Sequence, residues 1–256
     1  MRGWYAVFHK ELVNFFASPI AYAVIGSFVL IAGFFFWANV TFMSLISLQA
    51  SNSPMLMQRI NLTDVVVRPL IQNMSIILLF LMPLLTMRLF AEEKKTGTIE
   101  LLLTYPISDS GVIMGKYSAV TLLMLIMLLA TLPLMILLTG LGVPDMGPLI
   151  GGYLGLFLMG AAFMSLGMFF SSLTENQIVA AAFSFGAALL FWFLNWTGTF
   201  ASETLASVLR QLSILEHLDT FNKGIISLSD ITFFLLFIAF FLFLTSRSLE
   251  TNRWRG

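Results

Sequence analysis

The sequence predicts an all-α polytopic membrane protein with six transmembrane helices in a single transmembrane domain spanning residues 1–256. Hydrophobic residues make up 59% of the chain and charged residues 10%, whereas charged residues approach a quarter of an ordinary soluble domain. Six apolar stretches are each close to the ~20 residues that a helix needs to cross a bilayer. A mean hydropathy of +0.94 excludes a soluble globular protein.

The N-terminal segment 1–19 is predicted to form an amphipathic helix in the membrane interface. Apolar residues recur there every three or four positions, which places them on one helical face. Ser18 then caps the next helix, and Pro19 occupies its first position, where a missing N–H is harmless. The apolar positions are Trp4, Phe8, Leu12 and Phe15 or Phe16, and the polar positions between them are Arg2, His9, Lys10, Glu11 and Asn14.

The predicted transmembrane helices are residues 20–38, 70–87, 117–138, 149–170, 178–196 and 231–245. Pro83 and Pro133 lie inside two of them, and we expect each proline to kink its helix because it removes a backbone hydrogen bond. Gly151 and Gly155 form a small-xxx-small pair that permits close helix approach. This pair predicts either a seam between two copies of the chain or an internal contact.

The loop 88–116 is the only long charged interruption of the apolar sequence. A cluster of two acids and two bases is followed by Thr96-Gly97-Thr98 and then by a short apolar turn. Ile99, Leu102 and Leu103 share one helical face, and Pro106 ends that helix. The pattern predicts a short helix on the membrane surface, after which Ser108 or Asp109 caps the next span.

The distribution of Lys and Arg predicts that both termini and the loop 88–116 are cytoplasmic. With this orientation the cytoplasmic side holds nine of the 13 basic residues and the outer side holds four. The outer four are Arg59, Arg68, Arg210 and Lys223.

Two outer segments, 39–69 and 197–230, are longer than a simple turn requires. The second carries an apolar stripe that predicts one helix, either at the membrane surface and half inserted or packed on the spans from outside. The stripe consists of Leu205, Val208, Leu209, Leu212 and Leu215.

Several classes of function have no support in the sequence. None of the six spans as drawn contains Asp, Glu, Lys, Arg or His, so proton or ion coupling lacks its usual groups. Gly111 to Tyr117 resembles a phosphate loop, but it has one residue too few between its glycines and lacks the final Ser or Thr. His9 and His217 fall on opposite sides of the membrane, so they form no joint metal site. We therefore expect no catalytic residue, cofactor or metal in this chain, and zero net charge suggests no nucleic-acid partner.

Three stretches of sequence resemble one transporter family. The order of the loop, an acidic and basic cluster followed by GT, E, LL, PIS and GK, is similar to the first cytoplasmic loop of ABC-2-type permeases. HKELVNFFASPIAY at residues 9–22 and the segment 215–254 resemble the two ends of the gliding-motility-type branch.

The resemblance implies a fold like that of type-2 ABC exporters, with the loop as a coupling helix that docks on an ATPase. It implies a permease subunit in a bacterial inner membrane, paired with a second permease copy and with cytoplasmic ABC ATPases that bind ATP and Mg. A membrane-anchored extracytoplasmic protein commonly accompanies the gliding-type branch. The N-terminal helix from Gly3 to Ala17 would be the connecting helix. The ATPase-coupling residues implied are Glu92, Glu93, Lys94, Lys95, Thr96, Gly97, Thr98, Glu100, Leu101, Leu102 and Leu103.

The alternative from another class is a membrane channel or assembly scaffold outside the ABC transporters, which would need no ATPase. Spans without charges suit an amphipathic or lipid-like solute. They equally suit a machine that transmits force to an extracytoplasmic partner and translocates nothing.

Overall fold

The computed structural model describes residues 2–50, 61–99, 108–197 and 203–253, and every regular element in these ranges is helical. A π-helical turn, Thr63–Val67, leads directly into the third helix. The helices are α1 Arg2–Ala17, α2 Pro19–Ala50, α3 Arg68–Thr86, α4 Arg88–Lys95, α5 Asp109–Leu129, α6 Leu132–Thr139, α7 Met146–Leu173, α8 Gln177–Thr197, α9 Glu203–Gln211, α10 Ile214–Asn222 and α11 Leu228–Arg253.

Six helical segments in the described ranges are long and apolar enough to cross a membrane, as the sequence predicted, and the all-α membrane fold class is confirmed. The segments are Pro19–Leu48, Thr63–Lys95, Asp109–Thr139, Met146–Leu173, Gln177–Leu194 and Leu228–Thr251. Three of them extend well beyond the predicted spans.

The first span shows why the predicted boundary at residue 38 was too early. The helix α2 continues to Ala50 through a stretch that contains several hydroxyl side chains. Thr41 donates to the Trp37 carbonyl at 2.9 Å, and Ser44 donates to the Thr41 carbonyl at 2.7 Å. Ser47 donates to the Met43 carbonyl at 2.8 Å. Because these hydroxyls are satisfied within their own helix, they do not end it.

The helix α7 is the centre of the fold: most of its side chains are buried, whereas most of those of α8 are at least partly exposed. Its glycines meet different neighbours on different sides. A methyl group added at Gly152 would collide with Ile71 of α3, and one added at Gly160 would collide with Met124 of α5. Glycine therefore lets α7 pack closely against several helices at once.

Gly151 and Gly155 lie in an internal contact. A methyl group at Gly151 would approach the Phe221 carbonyl oxygen to 2.6 Å, and one at Gly155 would lie 2.8 Å from the Phe221 Cβ. Phe221 belongs to α10 of the same chain. At these positions α7 therefore packs against a helix of its own chain, and the seam between two copies stays a prediction.

The two prolines occupy different settings. Pro83 lies inside α3, which continues to Thr86 before Met87 separates it from α4. Pro133 lies at the start of α6, after a turn at Ala130 and Thr131 that separates α6 from α5. The helix is therefore interrupted before Pro133 rather than simply kinked. Pro133 lies in the first turn of α6, where a backbone N–H would have no acceptor within the helix, so its absence costs no hydrogen bond.

The apolar stripe in segment 197–230 is divided between two helices, so the expectation of one helix was wrong. The break falls between Gln211 and Ile214, where the Ser213 hydroxyl caps α10 by accepting from the Glu216 N–H. The helix α10 buries Ile214, Leu218 and Phe221 among the spans. In α9, by contrast, Val208 is half exposed.

Candidate functional site

The helix α4 begins at Arg88, immediately after the break at Met87, and its first turn is capped by another helix. The Ser171 hydroxyl of α7 accepts hydrogen bonds from the Phe90 N–H at 3.0 Å and the Ala91 N–H at 3.1 Å. The same hydroxyl donates to the Met87 carbonyl at 2.8 Å. The first N–H groups of a helix have no partner within it, so this contact stabilises the start of α4.

The far end of α4 is also attached to α7. The Lys94 ammonium donates to the Ser172 carbonyl at 2.5 Å, and the Ser248 hydroxyl of α11 donates to the same oxygen at 3.2 Å. Neighbouring serines of α7 therefore bind both ends of α4. This attachment makes α4 part of the transmembrane bundle rather than a free loop.

Lys116 of α5 is the most buried charged side chain among the described residues, with 1% exposure. Its ammonium lies 2.8 Å from a Glu11 carboxylate oxygen and 2.9 Å from a Glu93 carboxylate oxygen. It also lies 5.2 Å from the centre of the Phe90 ring, within the range of a cation–π interaction. We call Glu11, Glu93 and Lys116 the charged triad.

The charged triad connects three separate parts of the chain. Glu11 lies on α1, Glu93 on α4 and Lys116 on α5, so one ammonium group joins the N-terminal helix, the loop helix and a membrane span. Lys10 adds a weaker contact to Glu93 at 3.4 Å. A buried charge is tolerated only where opposite charges and hydrogen bonds compensate it, and here two carboxylates do so.

The charged triad forms one wall of a cavity of ≈ 550 Å³ between α1, α4 and α5. Glu92 and Arg88 also line this cavity, and neither has an acidic or basic partner among the residues that the structure describes. The Arg88 guanidinium lies over the Phe15 ring at 5.2 Å. The full lining is Lys10, Glu11, Asn14, Phe15, Ser18, Arg88, Leu89, Glu92, Glu93, Thr96, Thr98 and Lys116.

The predicted coupling residues separate into an exposed group and an internal group. Glu92 and Lys95 are exposed. Glu93 and Lys94 instead bind other groups of the same chain, namely the Lys116 ammonium and the Ser172 carbonyl. Thr96 ends α4, and its hydroxyl pairs with the Thr98 hydroxyl at 2.9 Å. Gly97 has a φ of 70°, a left-handed conformation that favours glycine. Glu100, Leu101, Leu102 and Leu103 lie outside the described residues.

Sequence reasoning missed Glu11, Lys116 and Ser171. Glu11 was assigned to the polar side of an interfacial helix, but it is 8% exposed and faces α5, against which Val7 also packs. The predicted third span began at residue 117, whereas α5 begins at Asp109 and so contains Lys116. An available signal was the spacing of Val7, Glu11 and Phe15, which places an acid on an otherwise apolar face.

The described residues contain no group of three or more His, Cys, Asp or Glu side chains arranged to hold a metal ion. Two carboxylates compensate the Lys116 ammonium, and beside the charged triad the site offers the exposed Glu92 carboxylate, the Arg88 guanidinium and a cleft. Such a surface is suited to binding another protein.

The sequence profile of ABC-2 family transporter proteins matches residues 5–250. No curated protein matches this chain. The match covers nearly all of the chain, including most of α1, the whole of α4 and all but the last residue of the six membrane-spanning segments. The chain therefore belongs to the ABC-2 family of transporter membrane proteins.

Proposed function

We propose that this integral membrane protein is a permease subunit that couples ATP hydrolysis by a separate subunit to export, or to force transmission toward an extracytoplasmic partner. The observation that carries the proposal is the charged triad, in which the 1%-exposed Lys116 bridges Glu11 of α1 and Glu93 of α4. Family membership supports the assignment to the membrane component of an ABC transporter. It argues against a channel or scaffold outside that class.

The coupling surface in this proposal is the exposed side of α4 together with the cavity between α1, α4 and α5. Glu92 and Lys95 are exposed there, and neither forms an ion pair with another residue that the structure describes. A push on α4 would pass to α1 and α5 through the charged triad. It would pass to α7 through Ser171 and Ser172, which bind both ends of α4.

Family membership and the charge pattern support the remaining parts of the proposed assembly. ATP and Mg would be bound by the ATPase subunit, and the permease would pair with a second copy or a related chain. The excess of Lys and Arg favours cytoplasmic termini and a cytoplasmic α4 in a bacterial inner membrane. The motifs at residues 9–22 and 215–254 favour the gliding-motility-type branch and its membrane-anchored auxiliary protein.

The two neighbouring glutamates give a direct test. Glu92→Ala removes an exposed charge that nothing in the described chain uses, so the variant should insert normally while its ATPase loses stimulation by the permease. Glu93→Ala removes one of the two carboxylates that compensate the buried Lys116 ammonium, so it should lower the stability of the permease itself. ATP hydrolysis by the reconstituted complex and thermal unfolding of the isolated permease measure the two effects separately.

The matched control is Glu216→Ala, which removes an exposed acid of α10 at the opposite end of the bundle. It should leave both measurements unchanged. Normal ATPase stimulation in the Glu92→Ala complex would contradict the coupling surface, because the exposed acid nearest to the triad would then have no part in it.

A further inference from the structure

Glu93 of the charged triad contacts a second lysine besides Lys116. Its Oε1 atom lies 2.9 Å from the Lys116 ammonium and 3.4 Å from the Lys10 ammonium, which donates a hydrogen bond to it. The Lys116 side chain is 1% exposed, whereas that of Lys10 is 54% exposed. Glu93 therefore lies between a buried cation and a surface cation.

The ion pair of Glu11 and Lys116 joins two helices that are already in close contact. A methyl group added at Gly115 of α5 would lie 2.8 Å from the Val7 Cβ of α1, so the two helices touch at this level. One residue further along α5, the Lys116 ammonium donates to a Glu11 oxygen at 2.8 Å. At this end of the bundle α1 and α5 therefore form one unit, and both lysines belong to it.

The Glu93 carboxylate, which belongs to α4, is only half satisfied by this arrangement. Both ammonium groups lie nearest to its Oε1 atom, whereas Oε2 is buried and accepts no hydrogen bond from any described residue. Buried polar oxygens in folded proteins nearly always have a donor. A turn of the side chain toward Lys10 would bring Oε2 to water at the surface. The cavity of ≈ 550 Å³ that Glu93 and Lys10 both line provides the space for this turn.

Contact of Glu93 with Lys10 alone would leave no charge without a partner. Loss of one partner from a buried ion pair is ordinarily costly, because it leaves a buried charge uncompensated. Here two acids and two bases divide into two complete pairs, Glu11 with Lys116 and Lys10 with Glu93. Exchange of Glu93 from the buried cation to the surface cation therefore avoids that cost.

We propose that Glu93 exchanges between Lys116 and Lys10, so that α4 has two positions against the unit of α1 and α5. Lys10 is then a positioning residue, which holds α4 after it has shifted toward the surface. The attachments to Ser171 and Ser172 persist in both positions, so α4 turns about α7. The two positions belong to this chain alone, whereas their selection by the ATPase rests on the proposed function.

Hydrogen exchange in the isolated permease tests the second position without an ATPase. Glu11→Gln with Lys116→Met removes the buried pair, so Glu93 must take Lys10 as its partner. Adding Lys10→Met to this double variant should accelerate exchange of the α4 amides about tenfold, because Glu93 then has no cation. In the unmodified chain Lys10→Met should accelerate it less than about twofold, because Lys116 remains and an exposed ion pair contributes little. Equal effects in the two backgrounds would overturn the proposal.

Stimulation of ATP hydrolysis in the reconstituted complex tests the exchange in a chain that keeps its buried pair. Lys10→Met should reduce the stimulation about tenfold, within the usual range of coupling between two sites, and Lys10→Arg should restore it. The control Arg247→Met removes a similarly exposed base that pairs with Glu250 outside the cavity, and it should retain full stimulation. In a Glu93→Gln background, Lys10→Met should have less than about a twofold effect, because Lys10 acts through Glu93.

Failure of the exchange and failure of the proposed function give different results. If Lys10→Met costs the same factor with and without Glu93→Gln, Lys10 acts on the ATPase directly, and the exchange is overturned while the coupling surface stands. If the unmodified permease stimulates no ATPase, the proposed function falls. Hydrogen exchange in the isolated chain then decides by itself whether Glu93 has two positions.

Discussion

Lys116 and Ser171 show how single side chains position the helix α4 against the bundle. Lys116 places one ammonium between two carboxylates from distant parts of the chain, and Ser171 places one hydroxyl at the start of α4. Both residues act between helices, so the loss of either should weaken the attachment of α4 to its neighbours.

Replacing Lys116 with methionine should destabilise the protein by about 3–5 kcal/mol, the usual cost of leaving a buried charge without its partner. The triple variant Glu11→Gln, Glu93→Gln, Lys116→Met should recover most of this loss, because no uncompensated charge remains. Thermal and denaturant unfolding in detergent measure both effects. Lys95→Met, which changes an exposed lysine of the same region, serves as the control. A Lys116→Met variant as stable as the parent chain would show that the charged triad contributes nothing to the fold.

Ser171→Ala should destabilise the start of α4 by about 1 kcal/mol, because the Phe90 and Ala91 N–H groups lose their acceptor. Ser172→Ala is a closely matched control, since the Ser172 hydroxyl donates only to Phe169 within α7. Hydrogen exchange of the Phe90 and Ala91 backbone amides measures this effect directly, because the amides should exchange faster once they lose their acceptor. Equally fast exchange in the two variants would argue against a capping role for Ser171.

At the scale of helices, α7 holds the bundle together through positions where a larger residue would not fit. Gly151 and Gly155 face α10, while other glycines face α3 and α5. The helix α10 is then joined to the last span by His217, whose imidazole lies 2.6 Å from the Asp230 carboxylate and stacks on the Phe233 ring. The end of the bundle that carries α10 is thus fixed by close backbone contact and by a polar pair.

Gly151→Ala should destabilise the protein by about 1–3 kcal/mol, because the added methyl group forces α10 away from α7. Gly186→Ala in α8 is the control, since a methyl group there has no neighbour within 4 Å and alanine favours a helix. Unfolding temperature and oligomeric state should be recorded for both variants. A Gly151→Ala chain that unfolds normally but loses its association with a second copy would favour the dimer seam instead.

At the scale of the whole molecule, hydropathy predicted the six spans because each of them must be an apolar helix that satisfies its own backbone hydrogen bonds in the lipid. It did not predict that α2 reaches Ala50, since polar side chains can be satisfied within their own helix. It also did not predict the charged triad. Glu11 and Glu93 are distant in sequence from Lys116, and only the packing of α1 and α4 against α5 brings them together.

The same packing changed the interpretation of the loop. From sequence, four neighbouring charges formed one docking cluster, but helical geometry directs them to different sides. Glu93 and Lys94 face the bundle, and Glu92 and Lys95 face outward. The loop therefore serves two purposes in our account. One side attaches α4 to the spans, and the other remains free for the ATPase.

The chain contains no cysteine, so a single introduced cysteine is a unique chemical handle. The most direct test of the account is site-specific cross-linking from Glu92→Cys in native membranes, with Glu216→Cys at the opposite end of the bundle as the control. We expect the probe at position 92 to capture a subunit that binds and hydrolyses ATP, and the probe at position 216 to capture none. Capture from position 216 alone, or no ATPase captured from 92 in a correctly inserted chain, would contradict the proposed coupling surface.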